Sequence, residues 1–172
     1  THVNRLSVGS LGAAQATISR EQRENGVAIL DIGAATSNLI VIEDGDVQQV
    51  SVIPIGGTSI TNDLAIGLRT DLKVAEAVKK NYKYLTQSSK TRPKHIKVVV
   101  NRGEHVFPTK DIELVIAARL AELFESVDRE LAKINRSKKI PGGITLTGGT
   151  AHLPGIDIVA REELALSARV AF

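Results

Sequence analysis

The stretch VAILDIGAATSNLIVIEDGDVQQVSVIPIGG, residues 27–57, decides how the rest of the chain is read. Val27 to Leu30 is an apolar strand that ends on an acid, Asp31. A turn of small residues follows, Gly33-Ala34-Ala35-Thr36-Ser37, and then a second apolar strand, Leu39 to Ile42. Asp44-Gly45 predicts a two-residue hairpin turn, because both residues tolerate φ > 0. A third strand, Val47 to Ile53, completes the unit. Bare backbone N–H groups beside a carboxylate at a strand end suit a polyphosphate and its Mg²⁺.

Before this unit, a short apolar stretch from Val3 to Leu11 leads to a polar run, Ser19 to Asn25, read as an exposed turn or helix end. After it, Ile60, Leu64 and Leu68 recur at helical spacing, with Thr58 or Ser59 as N-cap. A second helix starts at Leu72, with Ala75, Val78 and Tyr82 facing inward. Residues 87–94 (QSSKTRPK) read as a polar loop. Residues 96–100 and 104–107 are short strands around an Asn101-Arg102-Gly103 turn. From Pro108-Thr109 the apolar positions Ile112, Ile116, Leu120, Leu123, Val127, Leu131 and Ile134 step by three or four, which predicts the longest helix. Lys133, Arg136, Lys138 and Lys139 complement the C-terminal end of its dipole, and Pro141-Gly142-Gly143 is expected to stop it. Ile144 to Thr147 is a strand, Leu153-Pro154-Gly155 opens a last helix to about Leu166, and residues 168–172 form a final strand. The order reads βββα, an inserted ααββ segment, then αβαβ.

Composition narrows the function. The 22 basic and 19 acidic side chains leave a net charge of +3, scattered along the chain, which is too little for a nucleic-acid surface. Aromatic residues make up 3% with no Trp, so single-strand stacking platforms are excluded. Without cysteine there is neither a disulfide framework nor thiolate chemistry, as suits a reducing cytoplasm. No apolar run approaches the ~18 residues of a membrane span. A chain that opens on Thr1 and contains no Met reads as a fragment.

The element order and three motifs resemble the actin-like ATPase superfamily and, within it, the FtsA family of bacterial cell-division proteins. The motifs are Leu30-Asp31-Ile32-Gly33, the run from Val52-Ile53-Pro54-Ile55-Gly56-Gly57 to Gly67-Leu68-Arg69-Thr70, and Thr145-Leu146-Thr147-Gly148-Gly149 with Leu153-Pro154-Gly155. The resemblance runs over nearly the whole chain but only over the second half of the family's fold. It implies an α/β, actin-like (ribonuclease H-like) half with a mixed sheet and an inserted α+β subdomain. Residues 1–26 then lead in, 27–58 with 125–172 form the core subdomain, and 59–124 form the insertion. The first phosphate loop and a C-terminal membrane anchor are expected outside this chain.

The resemblance also implies roles. Asp31 holds Mg²⁺ through water and is the catalytic residue, and Gly33, Ala34, Ala35 and Thr36 form a phosphate loop for ATP or ADP. Glu76 and Lys79 contact ribose and adenine, and Gly148 and Gly149 let the backbone approach the adenosine. Arg119 and Glu122, on the long helix, receive the C-terminal peptide of FtsZ, the tubulin-like partner. The full-length protein is expected to form protofilaments and to tether FtsZ at the cytoplasmic face of the membrane at the division site. Each position has a plainer reading: Asp31 can cap a turn, Glu76 with Lys79 or Lys80 can be a surface pair worth a few tenths of a kcal/mol, and Arg119 can pair with Glu122 or Glu125.

This chain departs from the family's glycine-rich loop at Ala34, Ala35 and Asn38. Alanine keeps the N–H donor but resists φ > 0 and thickens the loop wall, and Asn38 is neutral where an acid is usual. These changes spare nucleotide binding more than hydrolysis, so slow or absent turnover is expected. A small-molecule kinase of the superfamily and a pilus-assembly scaffold are the competing readings.

Overall fold

The computed structural model describes residues 18–82 and 93–171. The stretch from Val3 to Leu11 and most of the expected 87–94 loop lie outside the described residues. A six-residue helix, α1 (Arg20–Asn25), forms where an exposed turn or helix end was expected. Ser19 caps it, accepting from the Gln22 N–H while Gln22 accepts from the Ser19 N–H.

Three strands follow as the opening stretch predicts: β1 (Val27–Ile32), β2 (Ser37–Glu43) and β3 (Asp46–Ile53). Asp44 and Gly45 turn between β2 and β3 with φ of 53° and 80°. This is the positive-φ pair of a hairpin whose twist matches its strands. Helices α2 (Gly57–Gly67) and α3 (Leu72–Asn81) come next. Among the described residues, two helices stand between β3 and β4 (His95–Val100), where the expected order had three. Strand β4 pairs with β5 (Gly103–Pro108) across a turn of Asn101 and Arg102, with φ of 52° and 66°. The long helix α4 (Thr109–Lys133), strand β6 (Ile144–Thr147), a 3₁₀ turn (Gly149–His152), α5 (Ile156–Leu164) and β7 (Ala168–Val170) complete the order.

The strands form a five-stranded sheet, β3-β2-β1-β6-β7, and a separate two-stranded sheet, β4-β5. β1 is antiparallel to β2 but parallel to β6, so the large sheet is mixed. Strand β1 is buried on both faces, which explains its unbroken apolar run. Ala28, Leu30 and Ile32 join the main core with Leu120, Phe124 and Val127 of α4 and Ile156 and Ala160 of α5. Val27 and Ile29 face the other way, into a smaller cluster with Ile18, Ile40 and Ile42. Helix α4 packs on β3 and α5 of the large-sheet side and on α2 and β5 of the other, so its apolar face joins the two.

Several boundaries differ from the sequence reading. Helix α2 begins two or three residues earlier than a Thr58 or Ser59 cap would place it: Gly56 is the N-cap, and the Ser59 hydroxyl accepts from the Gly56 N–H at 3.4 Å. Helix α4 ends at Lys133, well before Pro141-Gly142-Gly143, because Asn135 adopts φ 57° and the Arg136 N–H closes on the Leu131 carbonyl. Arg136 consequently leaves the helix dipole and grips the Glu43 carboxylate at the end of β2, at 2.6 and 2.8 Å. Helix α5 ends at Leu164 rather than near Leu166, since Ala165 turns left-handed at φ 50°.

Thr145, fully buried on β6, has a hydroxyl with no hydrogen-bond partner among the described residues. Thr145→Val keeps the shape and removes an unsatisfied polar atom. It is expected to raise unfolding free energy by about 1 kcal/mol, measured by urea denaturation.

Candidate functional site

The parallel strands β1 and β6 end side by side, with Asp31 opposite Thr147. Crevices beyond the carboxyl ends of parallel strands are where open α/β sheets take ligands. Here the β1–β2 turn lies on one side and Gly148-Gly149 on the other.

The turn is locked from within. The Gly33 N–H closes it on the Thr36 carbonyl at 3.0 Å. The Gly33 carbonyl accepts from the Gly57 N–H at 2.9 Å and from the Thr150 hydroxyl at 3.0 Å, and the Ala34 carbonyl accepts from the Thr58 N–H at 2.8 Å. Helix α2 thus uses two of its first amides, the usual place for an anion, on turn carbonyls. In a trans peptide the N–H points opposite to the C=O. Fixing the Gly33 and Ala34 carbonyls toward α2 therefore aims the Ala34 and Ala35 N–H groups away from it. Neither has an acceptor among the described residues, and both residues are exposed. Gly33, expected as a phosphate donor, closes the turn instead, and Ala34 and Ala35 keep the open amides. Neither alanine has positive φ, so the expected conformational resistance does not arise. Glycine is required beside the turn: a Cβ on Gly56 would overlap the Ala34 carbonyl, and one on Gly57 the Thr150 hydroxyl.

Glu76 and Lys79 come to the same place from α3. Lys79 Nζ donates to the Gly57 carbonyl at 2.9 Å and the Thr61 hydroxyl at 2.8 Å, and pairs with Glu76 Oε2 at 2.7 Å. These contacts employ all three ammonium protons. Glu76 Oε1 lies 3.6 Å from Lys80 Nζ. Burial pushes the Glu76 carboxyl up, but hydrogen bonds from Lys79 and Thr61 and the charges of Lys79 and Lys80 outweigh it, so the group stands below the usual carboxylate range.

Gly33, Ala34, Glu76, Lys79 and Gly149 line one cavity of about 390 Å³, with Gly57, Thr58, Lys80 and Thr150. A smaller, mainly apolar hollow of about 150 Å³ adjoins it, between Lys79, Lys80, Gly149, Thr150 and His152-Leu153-Pro154. Asp31 lies just behind: a Cβ on Gly148 would overlap its Oδ1. Its carboxylate takes no hydrogen bond or ion pair from the described residues. Asn38 sits opposite Asp31 on β2 in cross-strand register. Ala35 and Thr36 are at the turn but do not line the cavity. Sequence reading missed Gly57, Thr58, Thr61 and Thr150, although Thr150 directly follows the paired glycines.

Arg119 and Glu122 lie elsewhere, in a second hollow of about 380 Å³ between α4 and Val52–Ile55. Arg119 is already engaged. Nε and Nη2 donate to Asp63 of α2 at 2.5 and 3.0 Å, a two-pronged pair, and Nη1 donates to Glu122 at 2.7 Å. The hydrogen bonds that Arg119 donates to Asp63 raise its pKa against burial, with both carboxylate charges adding. The pairing with Asp63, fifty-six positions away in sequence, was not foreseen.

The arrangement of strands and helices is that of the actin-like class. MreB5 of Spiroplasma citri bound to ADP superposes with a TM-score of 0.76 at 23% identity, over 95% of this chain and 54% of that one. The PilM–PilN type IV pilus biogenesis complex does so with a TM-score of 0.66 at 23% identity, over 95% and 39%. The particular family follows from sequence: the profile described as "Cell division protein FtsA" matches residues 28–172, and the chain belongs to the FtsA family. The FtsA of Bacillus subtilis (strain 168) is 35% identical over 163 residues, 94% of this chain and 37% of that protein. The Pseudomonas aeruginosa protein is 32% identical over 162 residues, 93% and 39%. The chain thus spans about two-fifths of the length of these curated relatives.

The two glycines after β6 should behave differently. Gly148 has φ +89° and packs on Asp31 and Ile32, whereas a Cβ on Gly149 meets nothing within 4 Å. Gly148→Ala is expected to cost about 1–3 kcal/mol of stability, and Gly149→Ala to change it by less than about 0.5 kcal/mol, measured by denaturant unfolding.

Proposed function

We propose that this chain carries one side of a nucleotide site in an actin-like cell-division protein, with ATP or ADP held at the end of β1 and β6. The observation that supports this best is the convergence of Gly33, Ala34, Glu76, Lys79 and Gly149 from three distant stretches on one cavity. The Ala34 and Ala35 amides would donate to phosphate, with Thr36 at the turn beside them, Glu76 would face the ribose, and Gly149 would allow close approach of the adenosine. The MreB5 neighbours bound to ADP and AMPPNP agree with this choice of ligand.

Mg²⁺ fits the same place. Asp31 is a carboxylate without a protein partner among the described residues, set against the bare Cα of Gly148. No group of three or more metal-ligating side chains occurs among the described residues. One acid with water and phosphate oxygens is the usual Mg²⁺ arrangement, so Asp31 would act through water. With Asn38 rather than an acid opposite Asp31, the site favours holding nucleotide over hydrolysing it.

We further read residues 27–58 with 125–172 as the core subdomain and 59–124 as its insertion, in keeping with the two separate sheets. The whole protein would assemble into protofilaments and tether FtsZ at the inner face of the membrane at the division site. No helix among the described residues is long and apolar enough to cross a membrane. An acidic FtsZ tail at Arg119 and Glu122 would compete with Asp63 for the guanidinium.

Two measurements test these readings. Mg-ATP titrated into this chain by calorimetry should give a Kd above about 10 μM, because phosphate donors supplied by the rest of the protein are worth ~0.5–1.5 kcal/mol each. Gly149→Val, whose side chain enters open space, should weaken binding at least about tenfold without loss of stability. Absence of binding at millimolar nucleotide, or equal binding by Gly149→Val, contradicts the site. For the partner, fluorescence anisotropy with a labelled FtsZ tail should show about tenfold weaker binding for Arg119→Glu and tighter binding for Asp63→Asn, which frees the guanidinium. Unchanged affinity in both removes the docking site from Arg119.

A further inference from the structure

Thr61 lies on α2, within the 52–70 run but with no role toward the ligand assigned to it. It is 6% exposed, and its hydroxyl stands 2.5 Å from Glu76 Oε2, 2.8 Å from Lys79 Nζ and 3.1 Å from the Gly57 carbonyl. A hydroxyl has one proton to give. The ammonium can only donate, so Thr61 accepts from Lys79. Its own proton goes to the nearer, charged acceptor, Glu76 Oε2, at a distance typical of O–H···O⁻ bonds. The result is a closed set in which Lys79, Thr61 and Glu76 Oε2 satisfy one another over the Gly57 carbonyl. Glu76 Oε1 is left without a hydrogen bond among the described residues, beside Lys80 at the cavity wall.

We propose that Thr61 is a positioning residue for the ligand cavity: its hydroxyl fixes Glu76 and Lys79 in one arrangement that presents a single carboxylate oxygen to the ligand. The inference rests on the nucleotide reading for the identity of that ligand, but not for the arrangement itself. Without the hydroxyl, Oε2 loses its shortest hydrogen bond and Lys79 loses one of three acceptors. The α3 pair is then tied to α2, whose first amides hold the β1–β2 turn, only through Lys79 and the Gly57 carbonyl. Thr61→Val keeps the β-branched shape, and Thr61→Ser keeps the hydroxyl.

The test has two arms on this chain. The first follows the Glu76 side-chain carboxyl by ¹³C NMR through an acid titration without nucleotide. Thr61→Val should move its midpoint to higher pH, because a hydrogen bond to the ionised form is lost, while Thr61→Ser should titrate like the parent. Thr61→Ala replaces Thr61→Val should the latter not fold. The second arm measures Mg-ATP affinity, expected to fall about tenfold in Thr61→Val and to recover to within about twofold in Thr61→Ser. An unshifted Glu76 midpoint in the hydroxyl-free variant, or equal loss of affinity in the valine and serine variants, overturns the proposal. A parent chain that binds no nucleotide while the midpoint still shifts refutes the nucleotide reading and upholds Thr61 as the group that sets Glu76.

Discussion

The Gly33 carbonyl is the point on which the site depends. It receives the first amide of α2 and the hydroxyl of Thr150, and so ties the β1–β2 turn to the helix after β3 and to the loop after β6. Backbone this close tolerates no side chain, which accounts for Gly56 and Gly57 at the start of α2. A neutral hydrogen bond of this kind contributes about 1 kcal/mol. Its larger effect is directional: with two turn carbonyls held, the following two amides can point only outward.

That constraint propagates through the fold. The mixed sheet places β1 and β6 parallel and adjacent, so Asp31 and Gly148 end at one level. Helix α2 runs from the turn to α3, where Thr61 meets Glu76 and Lys79. Helix α4 then braces both sheets with its apolar face, while polar contacts fix it to β3 and α2. Ser51 and Gln49 of β3 donate to Glu130 of α4, and Arg119 bridges to Asp63 of α2. The Glu130 carboxyl is held below its usual range by hydrogen bonds from Lys133 and Ser51, which outweigh its burial. Its contribution is present at neutral pH and lost as acid titrates it.

Much of this was legible in the sequence because local signals and burial agree. The alternating and continuous apolar runs of residues 27–57 and the three-four spacing along α4 each have one stable solution, and those elements formed where the patterns lie. Helix ends were less legible. Asn135 stops α4 through a left-handed turn, a conformation that asparagine adopts but does not announce, and the later Pro141-Gly142-Gly143 looked the stronger signal. At the site, Gly33, Glu76, Lys79 and Gly149 were named by the family resemblance. Thr61, inside the 52–70 run, and Thr150 carried no assigned role, since their value comes from contacts to residues 15 and 117 positions away. Arg119 shows the same limit: its helix suggested pairing with Glu122 or Glu125, and only the fold brings Asp63 to it.

The central claim, that the outward amides of the β1–β2 turn and the cavity beside them receive nucleotide, is most directly tested by amide-resolved NMR during a titration of this chain with Mg-ATP. The account predicts the largest shifts at Ala34 and Ala35, smaller ones at Gly148, Gly149 and Thr150, and little change at Arg119 and Glu122. Shifts that centre on α4 around Arg119, or that leave the turn amides unmoved at saturation, would contradict it.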